Sequence, residues 1–187
     1  MRLFRPFVPS LAMMLLASSG AGAQSVLIDK SEIRFVSRQM GVNVEGRFRK
    51  WKANVDFRPK DLAKSRAELE IDLGSIDLAS EESETEIRRP RWFDTAKFPV
   101  ATFQSTAMKD LGGERYEIVG KLTLKGTARD ETIPIEIKKD ASGNSVATGQ
   151  FTIKRLEFKI GDGQWSDPSV VADEVVVRLR MVLPGAG

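Results

Sequence analysis

The sequence predicts an all-β protein, an antiparallel β-barrel of about eight strands capped by one short helix. Three observations carry that reading. Apolar and polar residues alternate with period two through most of the chain, which marks strands with one wet and one dry face. Short glycine turns, Gly112-Gly113, Gly126 and Gly143-Asn144, separate those segments as in a meander. A single stretch, residues 80–89, breaks the alternation and carries helix-end signals instead.

In chain order, residues 1–23 read as a signal peptide. Arg2 and Arg5 make a basic start, Phe7 to Ala17 is apolar, and Ala21-Gly22-Ala23 supplies the small residues that signal peptidase needs. The apolar part is only about half of the ~20 residues that span a bilayer, so no transmembrane anchor is expected. Removing 23 of the 187 residues leaves 164, residues 24–187, a size that suits one domain with its own core.

Strands are expected near 31–39 and 42–49. Trp51, Ala53, Val55 and Phe57 then alternate with Lys52, Asn54, Asp56 and Arg58. Ala67, Leu69, Ile71 and Leu73 alternate with Glu68, Glu70 and Asp72. After a strand at 100–109, Tyr116, Ile118, Gly120, Leu122 and Leu124 share one face. Ile133, Ile135 and Ile137 form another dry face, as do Ala147, Gly149, Phe151 and Ile153, and finally Val175 to Leu183 in steps of two. Closure into a barrel removes exposed strand edges; a β-sandwich is the alternative the pattern leaves open. Within 80–89, Ser83-x-x-Glu86 reads as a capping box, acidic residues lie early, Arg88-Arg89 lie late, and Pro90 stops the helix.

Composition excludes whole classes of function. With no Cys there is no disulfide framework and no thiolate nucleophile; with no His there is no Ser-His pair and little prospect of a zinc site or imidazole-ligated haem. No metal or cofactor is expected. The acidic run at 80–89 lacks the spacing of a calcium loop, and G-x-S-x-G, phosphate-loop and dinucleotide glycine motifs are absent. The net charge of +3 falls to about +1 without Arg2 and Arg5, so nucleic acid is not an expected partner.

The densest aromatic stretch is RPRWFDTAKFPVATFQST at 89–106. It also carries a resemblance. Arg88, Pro90, Trp92-Phe93-Asp94, Lys97-Phe98-Pro99, Thr102-Phe103 and Ser105 resemble the central motif of the YceI-like, polyisoprenoid-binding proteins. Gly46-Arg47-Phe48, Ile71-Asp72 with Ser75-Ile76, Gly120-x-Leu122-x-Leu124-x-Gly126, Lys154-Arg155 with Phe158, and Val171 to Val175 support it. The segment Phe158 to Trp165 is similar to one found in a proteobacterial subgroup. The likeness runs from Val26 to Leu183. It implies an exported, periplasmic, lipocalin-like barrel whose elongated cavity holds an isoprenoid or related lipid; a transient contact with a membrane or membrane protein is a further expected partner interaction.

The expected cavity wall is Phe35, Val44, Phe48, Val55, Phe57, Leu69, Ile71, Ile76, Trp92, Phe93, Phe103 and Phe158, the larger dry-face residues of strands flanking the helix. Facing within 31–49 is sensitive to register, since a slip of one residue inverts it. The leading functional expectation is a non-catalytic carrier of a long apolar molecule such as a polyisoprenoid or quinone tail. The alternative is an interaction module, or a stress-related scavenger of amphiphilic small molecules, on a filled barrel, with Arg47, Arg49, Lys50, Lys52 and Arg58 as a docking patch. Many relatives carry His where this chain has Lys30 and Glu86. If the two positions meet at the barrel mouth, an ion pair is expected, worth ~0.2–1 kcal/mol when exposed; otherwise both side chains point to solvent.

Overall fold

The computed structural model describes residues 24–185, so the expected signal segment at 1–23 lies outside the described residues. Eleven strands form one continuous sheet: β1 (Gln24–Ser25), β2 (Glu32–Gln39), β3 (Val42–Phe48), β4 (Trp51–Asp56), β5 (Arg66–Asp72), β6 (Ile76–Asp77), β7 (Val100–Gly112), β8 (Arg115–Leu124), β9 (Thr127–Lys139), β10 (Ser145–Lys154) and β11 (Glu174–Leu183). Every pairing is antiparallel, in the order β1-β4-β5-β7-β8-β9-β10-β11-β2-β3-β6. The longer strands are the alternating segments of the sequence. β1 and β6 have two residues each, too few to leave a period-two signature.

The sheet curls into a half-barrel, and its two edges are joined by the chain itself. β3 lies at one edge beside β6, β4 at the other beside β1, and only Arg49-Lys50 separates them. Ser75 pins that corner: its carbonyl accepts from the Arg49 N–H at 3.0 Å and its Oγ from the Lys50 N–H at 2.9 Å. The N-terminal segment bridges elsewhere, with β1 paired to β4 and the Leu27 N–H donating to the Val182 carbonyl at 2.8 Å. Lys125-Gly126 joins β8 to β9 with φ of 48° and 71°, the positive pair that a two-residue type I′ hairpin requires.

The helix α1 spans Glu81–Ile87 and starts earlier than a capping box at Ser83 implies. Ser80, extended at φ −144° and ψ 145°, is the N-cap, and its Oγ accepts from the Ser83 N–H at 3.2 Å. This start places Glu81, Glu82 and Glu84 in the first turn, where the positive end of the helix dipole favours them. A start at Ser83 would leave two of them outside. Glu86 consequently does not reach back; it pairs forward with Arg89 at 3.0 Å.

Between β10 and β11 the chain covers one end of the half-barrel with a non-strand segment containing two short 3-10 turns, Arg155–Phe158 and Gly163–Trp165. Beneath it Leu73, Ile76, Trp92, Phe93, Phe158, Ile160 and Val171 pack into a plug. Separate apolar clusters surround Ile33, Met181 and Leu183, and Phe103, Ile133 and Ile135.

Candidate functional site

The dry strand faces do not meet. They enclose a cavity of about 440 Å³, inside the ~300–1,000 Å³ typical of small-molecule sites. The interior is therefore not filled by side chains, as a purely structural scaffold would require.

Of the residues expected on the wall, Phe35, Val44, Phe48, Val55, Phe57, Leu69, Ile71, Ile76, Trp92, Phe93 and Phe103 line this space. Phe158 does not. It is 0% exposed and belongs to the plug. It sits on a 3-10 turn beyond the end of β10, where strand alternation no longer decides which way a side chain faces. The far wall comes from Ile33, Ile118, Leu122, Ile135, Phe151 and Leu179, among others. Alternation does put most of these on dry faces. Favouring the strands next to the helix leaves them out, because the extent of a void is not written in the sequence.

Aromatic rings run along the near wall. Phe35 and Phe48 have centroids 5.6 Å apart and Phe48 and Phe93 6.4 Å apart, both tilted. Aromatic pairs at such separations attract each other beyond the area they bury. Trp92 leads from this row into the plug, where its ring lies 5.7 Å from that of Trp165.

A small set of polar side chains also lines the cavity: Ser37, Gln39, Glu68, Glu82, Ser83, Glu86 and Arg155. Helical spacing explains three of them, since Glu82 and Glu86 are one turn apart on the same face of α1 with Ser83 beside them. Glu82 and Ser83 line the cavity yet are exposed, so the space reaches solvent beneath α1. Glu68 is likewise exposed, at the last β5–β7 rung, Glu68↔Gln104, before the register shift between Ser105 and Ala107.

Arg155 is the residue the sequence least reveals. It is 1% exposed, and all its guanidinium donors go to main-chain carbonyls. Nε donates to Ala172 at 3.0 Å, Nη1 to Ile160 and Gly161 at 2.8 Å each, and Nη2 to Trp165 at 2.7 Å and Val171 at 2.6 Å. Burial holds its pKa below the ordinary arginine value, opposed by the charge of Asp173. The guanidinium's fixed fork organises the end-covering segment from within. Nearby, Lys125 is 9% exposed and donates from Nζ to the Lys159 carbonyl at 2.6 Å; burial lowers its pKa as well.

The expected meeting of Lys30 and Glu86 does not occur. Glu86 is paired to Arg89, and no ion pair between Lys30 and Glu86 is found among the described residues. Lys30 lies two residues before β2, near Asp140 in the β9–β10 turn, whose pKa is lowered chiefly by a hydrogen bond from the Asn144 side chain, with a small contribution from the Lys30 charge. The Lys30 carbonyl accepts from Arg180, which pairs with Glu32 at the start of β2, whereas Glu86 lies on the cavity wall.

The basic stretch at 47–58 is also not a bare cationic face. Arg47 and Arg49 share Asp77 at 2.6 Å each, and their hydrogen bonds pull the Asp77 pKa down to about 2. Lys52 pairs with Glu70 at 2.7 Å and Arg58 with Asp56 at 2.7 Å.

A curled antiparallel sheet around an apolar cavity, with a helix at its opening, defines a lipocalin-like small-molecule-binding architecture. The YceI-like domain matches residues 26–183, and this chain belongs to the YceI-like family. A UPF0312 protein of Vibrio campbellii is 30% identical over 164 residues, covering 82% of this chain and 87% of the relative. Among solved structures, BcnA of Burkholderia cenocepacia superposes with a TM-score of 0.80 at 38% identity, covering 84% of this chain and 98% of BcnA. A polyisoprenoid binding domain from Saccharophagus degradans, implicated in plant cell wall breakdown, shares the fold with a TM-score of 0.70 at 18% identity, covering 88% and 99%. Among the described residues no helix is long and apolar enough to cross a membrane.

Proposed function

We propose that this protein is a periplasmic, non-catalytic carrier of a long apolar molecule, a polyisoprenoid or a related lipid tail, held in the barrel cavity. The observation that carries this reading is the cavity itself: about 440 Å³, walled chiefly by aliphatic and aromatic side chains from both halves of the sheet. Burial contributes ~0.8 kcal/mol per CH₂, so a tail needs few polar contacts to bind tightly. Family membership and the polyisoprenoid-binding description of one structural neighbour support the ligand class. The periplasmic location rests on the leader-like composition of residues 1–23.

Native mass spectrometry of the purified protein, with organic extraction and lipid analysis, tests the proposal. The expected result is a one-to-one adduct that is lost on extraction and identified as a long-chain lipid. A protein that co-purifies with no lipid and takes up none from added prenyl chains would overturn it.

A further inference from the structure

We infer that the outer face of the sheet holds a second site, a groove across β11, β2 and β3 that binds the phosphate headgroup of an anionic lipid at a membrane surface. The inference goes beyond the cavity and does not depend on what the cavity holds. Its basis is a row of residues in register. Arg178 is the direct cross-strand partner of Arg34, and Arg34 that of Arg47. Gln150 continues the row on β10 beside Arg178, and Asp77 ends it on β6 beside Arg47. Direct partners project from the same face, and neighbouring strands lie only ~4.8 Å apart. Three exposed guanidinium groups therefore stand side by side on the solvent face.

Like charges directly opposite one another destabilise a sheet, and here two such pairs share the central Arg34. Their contacts within the protein use one edge of each guanidinium. Nε of Arg34 donates to Glu32 at 2.8 Å, Nε of Arg47 to Asp77 at 2.6 Å, and Nε of Arg178 to Gln150 at 2.9 Å. No hydrogen bond from their Nη groups is found among the described residues. Those groups remain to donate to phosphate oxygens, whose geometry the guanidinium fork matches. The row borders a groove of about 310 Å³, lined by the three arginines and by Val36, Leu78 and Ala79. Glu45 and Asp77 line it as well, but Asp77 is already shared by Arg47 and Arg49, and positive charge exceeds negative along the wall. Apolar side chains beside the arginines suit the carbons that adjoin a lipid phosphate; inorganic phosphate has no use for them. Phe35 and Leu78 line both the groove and the cavity, so the two sites share a wall.

The test is cosedimentation of the purified protein with vesicles of phosphatidylcholine, alone or with phosphatidylglycerol added, at low and high salt. Binding to the mixed vesicles but not to pure phosphatidylcholine, weakened by salt, is expected. Each basic side chain near an anionic surface changes affinity by about fivefold, so Arg34→Gln/Arg178→Gln is expected to lose about twentyfold. Lys60→Gln/Lys109→Gln makes the same charge change at exposed positions that do not line the groove, and is expected to lose less than about twofold. Thermal melts of the arginine variant should hold or rise, because the substitution removes like-charge neighbours. If they fall, Arg178→Gln alone, which gives up only the contact to Gln150, carries the test with an expected loss of about fivefold. Equal losses in the arginine and lysine variants, or no preference for phosphatidylglycerol, overturn the inference and leave the carrier reading standing. So does release from the vesicles by millimolar glycerol 3-phosphate at constant ionic strength, which would make the groove a site for a soluble phosphate.

Discussion

Phe35 and Gly46 are direct partners across β2 and β3, and the Phe35 ring occupies the space that a Cβ at Gly46 would need. Leu78 closes the same site from the other side, 2.8 Å from that Cβ position. The glycine leaves room for the Phe35 ring, which lines the cavity. Gly46→Val therefore forces Phe35 off its rotamer and is expected to cost about 1–3 kcal/mol, read from the urea midpoint. Phe35→Ala in the same chain should recover part of that loss, and strictly additive effects would show that the two residues do not interact.

Phe158 and Phe103 differ in what surrounds them. Phe158 is 0% exposed within the plug, whereas Phe103 lines the void. Truncation of Phe158 to Ala is expected to cost about 4–5 kcal/mol and truncation of Phe103 nearer 3, because one side of the Phe103 ring already lacks packing partners. Prenyl-chain affinity should move the opposite way, changing with Phe103→Ala and little with Phe158→Ala. The comparison needs denaturant melts and a binding titration on each variant.

Arg155→Met removes the donor to five carbonyls at once. Leaving them buried and unsatisfied should cost about 3–5 kcal/mol and loosen residues 155–173. Arg155→Lys keeps the charge but cannot reproduce the planar fork, so it should rescue little. Hydrogen exchange localised to 155–173 distinguishes this from general destabilisation.

Acid should weaken the corner where β3 meets β4. Asp77 has its pKa lowered to about 2 by hydrogen bonds from Arg49 and Arg47, against about 3.9 for an unfolded-state aspartate. A depressed carboxyl contributes stability above the unfolded value and loses it as pH falls through the folded one. The difference in Tm between wild type and Asp77→Asn should therefore be full at pH 7 and shrink between about pH 4 and pH 2. Both arginines are 57% exposed, so added salt should reduce the difference as well.

The wet and dry faces of the long strands were legible because alternation is a local property: Leu69 and Ile71 must share a face once β5 forms. The helix was legible in type but not in its start, since Ser80 and Ser83 offer similar caps and the choice turns on which glutamates reach the first turn. The separation of Lys30 from Glu86 was not legible at all. Residue type allows an ion pair between them, but only the tertiary fold sets Lys30 near Asp140 and gives Glu86 to Arg89.

By itself the sequence determined an antiparallel all-β chain with one short helix, a wall of large apolar residues and the YceI-like likeness. Each follows from spacing and residue type along the backbone. Tertiary structure alone decided that the dry faces stand apart around a void, that Phe158 fills the plug while Phe103 faces the space, and that Arg155 spends its donors on the chain. Whether facing side chains meet or leave a gap depends on the curl of the sheet. That curl is set by contacts such as Ser75 on the β3–β4 corner and Phe35 over Gly46, between residues that no local pattern connects.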